Sequence, residues 1–342
     1  MKAFVKTGQQ PGEAGIKDVS ITRPGPGEVL LRVASCGICG SDIHAFRSDA
    51  GFEWVRTPVT LGHEFSGTIE AIGPDVTRVS LGDRVVAVAI QGCGRCEVCR
   101  SGSTQLCPQR VAVGLARDGG MAEYAVMPER HLVPVPEGLD LTAAALGEPL
   151  SVAVHAMNVR ADIEPGQNVV VSGPGPIGIL CGMLAQLAGA EVLLTGVGRD
   201  SKWRLPAAER VGLRTANLSE APLEEHLLRS FGEHAPDVWV ESSGSVKALD
   251  SALESVRAGG TIAVVGIYAE EMHFSPTFAV RRELSLLFSY SCNYTDYQTA
   301  LDLLGSGAID PGPLLSTYPL QHAPEAFEAV GEGREVKAMI VP

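Results

Sequence analysis

Residues 168–196, NVVVSGPGPIGILCGMLAQLAGAEVLLTG, determine the fold class of this chain. Residues 169–172 are apolar and β-branched, as in a buried parallel strand, and residues 177–187 have the apolar spacing of a helix. A glycine loop that ends a strand and opens a helix lets the backbone approach a pyrophosphate at the helix N-terminus. The stretch therefore predicts a dinucleotide-binding unit. The predicted contacts in this loop are Gly173, Gly175, Pro176, Ile177 and Gly178.

Downstream, apolar runs alternate with a helical segment, which predicts a doubly wound parallel sheet of the Rossmann type. The predicted strands are PDVWVESSGS (236–245), TIAVVGI (261–267) and LSLLFSY (284–290), and SVKALDSALESVRAGG is the helix. The apolar run TIAVVGIY could form an edge that pairs across subunits. Burial of the same run inside one chain is equally compatible with the pattern.

The end of the second predicted strand, TGVGRDSKWR, decides which dinucleotide is expected. An acidic residue there would bind the ribose hydroxyls of NAD, but Gly196 occupies the position and basic residues follow. Gly196, Arg199 and Arg204 suit a 2′-phosphate, so the pattern favours NADP slightly over NAD. The alternative, in which Asp200 reaches the ribose and the basic residues only decorate a solvated helix, stays open.

Four cysteines fall in CGRCEVCRSGSTQLC (93–107), with small or polar residues between them. Four thiolates satisfy a tetrahedral zinc completely and leave no place for water or substrate, which is typical of a structural site. Disulfides or reactive thiols are the alternatives, and a reducing compartment and the number of thiols argue against them. The predicted ligands are Cys93, Cys96, Cys99 and Cys107.

A second group of possible ligands lies upstream, in CGICGSDIH (36–44) and LGHEFSG (61–67). A catalytic zinc needs about three protein ligands and one open position, and a thiolate, a histidine and a carboxylate form such a set. Each motif is weak alone, since a GHE is commonly a turn and CxxC can be a redox pair. Together they predict an open zinc site.

Glu148 lies in the apolar stretch ALGEPLSVAVHA. A carboxylate in such surroundings is costly unless it is paired or bound to a metal, so Glu148 is a further candidate for the open site. A solvated glutamate at a helix start, followed by Pro149 in the first turn, is the alternative.

Composition narrows the function classes. The chain has 342 residues, enough for about two domains, and a formal net charge of −13, which would repel phosphate backbones and anionic membranes. No run of about 18 apolar residues and no signal peptide is recognisable, so a cytoplasmic location is expected, with neither nucleic-acid nor membrane partners.

The order GICGSDIH, GHEFSG, CGxCxxCx7C, GEPLSV and GPGPIG resembles the zinc-containing medium-chain dehydrogenase/reductase family over nearly the whole chain. The resemblance implies a GroES-like, mainly-β catalytic domain at 1–150, completed by 290–342, and a Rossmann domain at 151–289. It also implies one catalytic and one structural zinc per chain, NAD or NADP as cofactor, an active site in the cleft between the domains, and a homodimer or homotetramer.

The resemblance also implies roles for single residues. Cys39 and His63 match the zinc ligands, and Glu64 and Glu148 match two carboxylates beside the metal, one or the other ligating directly or through water. Ser41 and His44 match the proton relay, so that Ser41, His44 and Glu148 are the catalytic candidates. Cys36 is then a neighbour of the metal.

The EPLSV run resembles the polyol dehydrogenase branch, which implies hydride transfer between a secondary alcohol and NAD(P). Near residue 289 that branch has a substrate-contacting arginine where Ser289 stands, so the substrate is not fixed. Oxidation of L-threonine is the enzymatic alternative. A catalytically silent nucleotide-binding zinc protein is the non-enzymatic one, although it would not need to keep a proton relay.

Overall fold

The computed structural model describes residues 1–342 and divides into two compact units. The first comprises Met1–Ser151, Cys292–Ala308 and Leu315–Pro342, and the second Val152–Ser291 and Ile309–Leu314. None of the helices combines the length and the apolar character that a membrane-spanning segment needs.

The first 150 residues form mainly short strands. These strands are β1 (Lys2–Lys6), β2 (Ala14–Asp18), β3 (Glu28–Gly37), β4 (Val59–Thr60), β5 (Glu64–Ile72), β6 (Arg84–Ala87), β7 (Ile90–Gln91), β8 (Val111–Ala112), β9 (Tyr124–Pro128) and β10 (Leu132–Pro134). The helices in and just after this part are α1 (Gly40–Arg47), α2 (Glu97–Arg100), α3 (Leu141–Ala144) and α4 (Gly147–Val154).

Strands and helices then alternate along the second unit. The elements are β11 (Asn168–Ser172), α5 (Pro176–Leu187), β12 (Glu191–Gly196), α6 (Arg204–Arg210), β13 (Arg214–Asn217), α7 (Leu223–Phe231), β14 (Val238–Glu241), α8 (Val246–Ser255), β15 (Thr261–Val264), α9 (Pro276–Arg281) and β16 (Ser285–Phe288). The chain ends with α10 (Tyr294–Gly305), β17 (Leu315–Pro319), α11 (Ala323–Gly331) and β18 (Lys337–Val341).

The C-terminal segment completes the sheet of the first unit. The strand order is β10-β6-β5-β3-β18-β17, and β9 also pairs with β3. Strand β18 runs antiparallel to β3, with Ile340 opposite Cys36 and Met339 opposite Gly37. Because β18 and β5 flank the same end of β3, residues from both ends of the chain meet there. This unit has the predicted mainly-β character.

The second unit is a six-stranded parallel sheet in the order β13-β12-β11-β14-β15-β16. Residues Val169, Val170 and Val171 of the central strand are fully buried, as a strand covered on both faces should be. The order is that of a Rossmann fold and confirms the predicted fold class.

The apolar run TIAVVGIY does not form an edge. Residues 261–264 form β15, which pairs with β14 on one side and β16 on the other, so the run is an interior strand of its own chain. On this side the edge of the sheet is β16, four residues long rather than the seven of LSLLFSY, and β13 is the opposite edge. The pattern of apolar residues could not distinguish these positions, because both a central and an edge strand can be apolar.

Candidate active site

Cys39 lies where the long strand β3 passes into helix α1. The strand ends at Gly37, and Cys39 is the residue that caps the helix. Asp42, in the first turn, is fully buried and accepts a hydrogen bond from Cys39 N to Oδ2 (2.9 Å). The carboxylate of Asp42 therefore fixes the backbone that carries the Cys39 thiol.

His63 and Glu64 are delivered by a glycine turn at the start of β5. Gly62 has φ +93°, a conformation in which other residues are strained, and a Cβ there would stand 2.5 Å from Cys36 Sγ. Gly62 N also donates to Asp42 Oδ1 (3.3 Å). The turn therefore depends on glycine, and it brings residues 63 and 64 next to residue 39.

Cys39, His63 and Glu64 form a cluster with the chemistry of a zinc site. One ligand atom from each lies within 4.8 Å of the other two. Asp42 Oδ1 lies 3.4 Å from His63 Nδ1, which leaves Nε2 as the atom for a metal, an arrangement common for zinc-binding histidines. Thiolate, imidazole and carboxylate suit zinc, and three ligands leave one position open. The cluster therefore fits a catalytic zinc.

Burial lowers the pKa of His63, but the negative charges of Asp42 and Cys39 outweigh burial and raise that pKa well above its ordinary value. The concentration of negative charge around this imidazole is what a divalent cation would neutralise.

Lys337 is a partner of this cluster that the sequence patterns missed. Its Nζ donates to Glu64 Oε2 and to the carbonyl oxygen of Ile38 (3.1 Å), and the Glu64 and Lys337 side chains are both buried. A lysine within the apolar run VKAMIV is costly unless it is paired, which is the signal that could have found it. The ammonium fixes one carboxylate oxygen of Glu64.

Glu148 lies in the first turn of α4 and is buried, so the alternative of a solvated helix-start glutamate is wrong. Its carboxylate is not part of the cluster whose atoms lie within 4.8 Å of one another. Burial and the negative charge of Glu64 raise the pKa of Glu148 to about 7, against the opposing effect of His63. The pKa of Glu148 therefore depends on the charges of the cluster. Glu64, in contrast, is the carboxylate that lies within the cluster.

Ser41 and His44 lie three residues apart on α1, on one face of the helix. The side chain of His44 is half-exposed, its Nδ1 lies 2.7 Å from Asp49 Oδ2, and its ring stacks on Phe52 at 5.2 Å between centroids. The exposed ring can exchange protons with solvent, and Asp49 and Phe52 fix its orientation.

The four-cysteine loop has the dimensions of a closed zinc site. Zinc–sulfur bonds of about 2.3 Å in a tetrahedron place the sulfurs about 3.8 Å apart. Cys96 and Cys107 have their Sγ atoms 3.8 Å apart, and Cys93 and Cys99 have theirs 4.0 Å apart. All four cysteines are free, so the disulfide alternative is wrong. Backbone N–H groups of Arg95 and Cys96 lower the pKa of Cys93 to about 6, which favours its thiolate.

The glycine loop after β11 leaves room for a ligand. A Cβ on Gly178 would stand 2.0 Å from the carbonyl oxygen of Gly173, so this glycine is needed for close packing. A Cβ on Gly175 would meet nothing within 4 Å, so open space lies above the N-terminus of α5, which begins at Pro176 and Ile177. A pyrophosphate is expected in this space because its charge suits a helix N-terminus. The loop therefore fits a dinucleotide.

In the turn after β12, the two arginines predicted to contact the ribose phosphate differ in their burial and in their partners. Asp200 is buried; its Oδ2 accepts from Val197 N (3.0 Å), and its Oδ1 lies 3.6 Å from Arg204 Nη1. Asp200 therefore caps its own turn, which contradicts the alternative in which it reaches the ribose. Arg204 is largely buried and paired with Asp200, whereas Arg199 is exposed.

Comparison with known proteins agrees with this geometry. Residues 25–137 match the model of the alcohol dehydrogenase GroES-like domain, and residues 176–306 match that of the zinc-binding dehydrogenase domain. A D-arabitol-phosphate dehydrogenase of Enterococcus avium is 35% identical over 97% of this chain and 95% of its own. A sorbitol dehydrogenase of Halalkalibacterium halodurans is 35% identical over 100% of this chain and 99% of its own.

A solved structure from Sinorhizobium meliloti, described as a zinc-binding dehydrogenase bound to NADP, is 33% identical, with a TM-score of 0.89 over 100% of this chain and 99% of its own. Two relatives at 35% identity over nearly the full length, together with both domain models, establish the family. The chain belongs to the zinc-containing alcohol dehydrogenase family of medium-chain dehydrogenases/reductases.

Proposed function

We propose that the protein is a dehydrogenase that transfers a hydride between the secondary alcohol carbon of a polyol or sugar alcohol and NAD(P), with one catalytic and one structural zinc per chain. The convergence of Cys39, His63 and Glu64 beside the helix that carries Ser41 and His44 is the observation that supports it most. The near-full-length similarity to sorbitol and arabitol-phosphate dehydrogenases supports the substrate class.

Cys39, His63 and Glu64 would hold the catalytic zinc, which, when bound, polarises a substrate hydroxyl and makes it more acidic. Lys337 keeps one oxygen of Glu64 engaged, and Asp42 keeps His63 oriented. Ser41 accepts the hydrogen bond of the substrate hydroxyl, and the half-exposed His44 releases the proton to solvent. The nicotinamide supplies the hydride chemistry, while the protein supplies orientation.

The test is turnover measured by nicotinamide absorbance. Sorbitol, xylitol, arabitol and D-arabitol phosphate are each offered with NAD and with NADP, beside L-threonine and ethanol. We expect a polyol or its phosphate to give the highest kcat/KM. A preference for L-threonine would replace the polyol assignment, and no turnover with any substrate by protein that holds two zincs would favour a silent binding protein.

For the cofactor, we propose that Arg199 contacts the 2′-phosphate of NADP, because it is exposed while Arg204 is paired with Asp200. Arg199→Ala is expected to raise the KM for NADPH about tenfold, as expected for the loss of a hydrogen bond between charged groups, and to leave the KM for NADH within about twofold. Lys202→Ala is the matched control, because Lys202 is also exposed but lies over the ring of Trp203. An equal change for both cofactors would contradict the assignment.

For the oligomer, we propose a homodimer formed through the edge strand β16. An edge strand leaves N–H and C=O groups unpaired. Phe288 of this strand, Val280 of α9 and Ile267 after β15 are 64%, 73% and 72% exposed. Phe288→Asp is expected to convert a dimer to a monomer in light scattering after gel filtration. Leu81→Asp, at an equally exposed leucine of the other unit, is the control. A wild-type monomer, or a Phe288→Asp dimer, would contradict this interface.

A further inference from the structure

Glu241 is a fully buried carboxylate in the second unit that the proposed reaction does not use. It is the last residue of β14 and forms no ion pair with a lysine, arginine or histidine. A buried carboxylate without a cation is costly unless hydrogen bonds compensate it. The free-energy cost of burying this carboxylate must therefore be offset by its hydrogen-bond donors.

Both carboxylate oxygens of Glu241 are surrounded by donors. Oε1 accepts from Ser243 N (2.8 Å), from Ser243 Oγ and from Ser172 Oγ (3.4 Å). Oε2 accepts from Gly244 N (3.1 Å) and from the hydroxyl of Tyr268. The side chain thus replaces its lost hydration with five donors.

These donors come from three different segments of the chain. Ser172 ends β11, Ser243 and Gly244 follow β14, and Tyr268 follows β15. The backbone of Glu241 also contacts the segment after β15, because its carbonyl oxygen accepts from Val265 N (2.8 Å) and Gly266 N (3.0 Å). One residue therefore holds together the loops at the ends of three neighbouring parallel strands.

The loops are packed so closely that little adjustment is possible. A Cβ on Gly266 would stand 2.4 Å from Gly244 N and 2.6 Å from Glu241 Oε2. Ser172, which donates to Glu241, also accepts from Trp239 Nε1 (3.0 Å). A change at Glu241 would therefore be transmitted to both neighbouring loops.

The network lies at the carboxyl ends of the central strands of the sheet. In a Rossmann sheet the dinucleotide binds at the carboxyl ends of the strands, where the strand order reverses, here between β11 and β14. The glycine loop belongs to the mononucleotide half formed by β11, β12 and β13, which takes the adenosine side. The half formed by β14, β15 and β16 is left for the nicotinamide side.

We propose that Glu241 is a positioning residue for the nicotinamide half of the cofactor, acting by fixing the loops after β14 and β15 in the conformation that accepts it. The proposal rests on the proposed use of NAD(P). Glu241 acts through these loops rather than by contact with the reacting atoms. A glutamine cannot replace it. Its amide NH2 group is a donor, and it would face a backbone N–H donor, that of Ser243 or of Gly244, where the carboxylate oxygen now accepts.

The test measures binding of NADH, NADPH and AMP by fluorescence and calorimetry to wild type and to Glu241→Gln. Of NADH and NADPH, the one that binds wild type more tightly is expected to show a Kd about tenfold higher or more, as for a lost set of hydrogen bonds to a charged group. The Kd of AMP is expected to change by less than about threefold. The zinc content is expected to stay unchanged. An equal weakening of both ligands would indicate general loosening and overturn the proposal, as would an unchanged Kd for the reduced cofactor.

Asp237→Asn is the matched control. Asp237 stands just before the amino end of β14 and likewise bonds a neighbouring strand, accepting from Asn168 N (2.8 Å), so its loss should affect stability but leave cofactor binding within about twofold. If Glu241→Gln does not fold, Tyr268→Phe removes one donor only and should still weaken the reduced cofactor more than AMP. A wild type that binds neither NADH nor NADPH would refute the proposed function itself, whereas normal binding by Glu241→Gln would refute only this inference.

Discussion

Replacing Cys39 or His63 by alanine is expected to lower kcat by at least about a thousandfold and to reduce the zinc content from two ions per chain to one. The reason is that each residue supplies one of three convergent ligand atoms, and two remaining ligands do not retain zinc in an open site. Elemental analysis of protein purified without chelators, together with kcat for the best polyol, measures both effects.

Cys36→Ala is the matched control for this prediction. Cys36 is a buried thiol three residues before Cys39, and burial raises its pKa well above the ordinary value, so it stays a neutral thiol. The Cys36→Ala protein should keep two zincs and a kcat within about tenfold of wild type. Full activity after Cys39→Ala or His63→Ala would show that the reaction does not depend on this cluster.

The second large effect is expected at the four-cysteine loop, where Cys96→Ser should remove the other zinc and lower the Tm by about 10 °C or more. A structural zinc site contributes folding free energy, because its ligands are brought together only in the folded state. Cys96 Sγ also accepts from Cys99 N (3.4 Å), so the loop loses a local hydrogen bond as well. Calorimetry and zinc analysis measure the two changes.

Cys181→Ser controls for the exchange of a buried thiol for a hydroxyl. Cys181 lies in α5, far along the chain from the loop, and burial raises its pKa to about 12, as expected for a packing residue. Its variant should keep two zincs and lose less stability than Cys96→Ser. A Cys96→Ser protein with wild-type Tm and zinc content would show that the loop holds no structural metal.

Local spacing made several parts of the molecule predictable. The strand, glycine loop and helix at 168–187 were predicted within one residue, because a buried strand, a GxGxxG turn and an apolar helix are contiguous in the sequence. The four cysteines within 15 residues likewise predicted a closed cluster, since a short loop can bring them together without help from the rest of the chain.

Other parts depend on contacts between distant residues. Lys337 meets Glu64 across 273 residues, and only the pairing of β18 with β3 brings them together. Likewise, the pairing of β15 with β16 made TIAVVGIY an interior strand. The sequence shows that Lys337, in an apolar run, needs a partner, but it shows neither which distant residue supplies that partner nor the order of the strands.

The fold class, the candidate zinc ligands and the candidate dinucleotide loop can be recognised in the amino-acid sequence, because each is encoded by residues close together or by a distinctive set of motifs. The folded structure was needed to show which carboxylate stands at the Cys39–His63 cluster, which arginine is exposed, and how Glu241 joins three loops. Those outcomes depend on burial and on strand order, and the free energy of a buried charge is set by neighbours that the chain brings together only on folding.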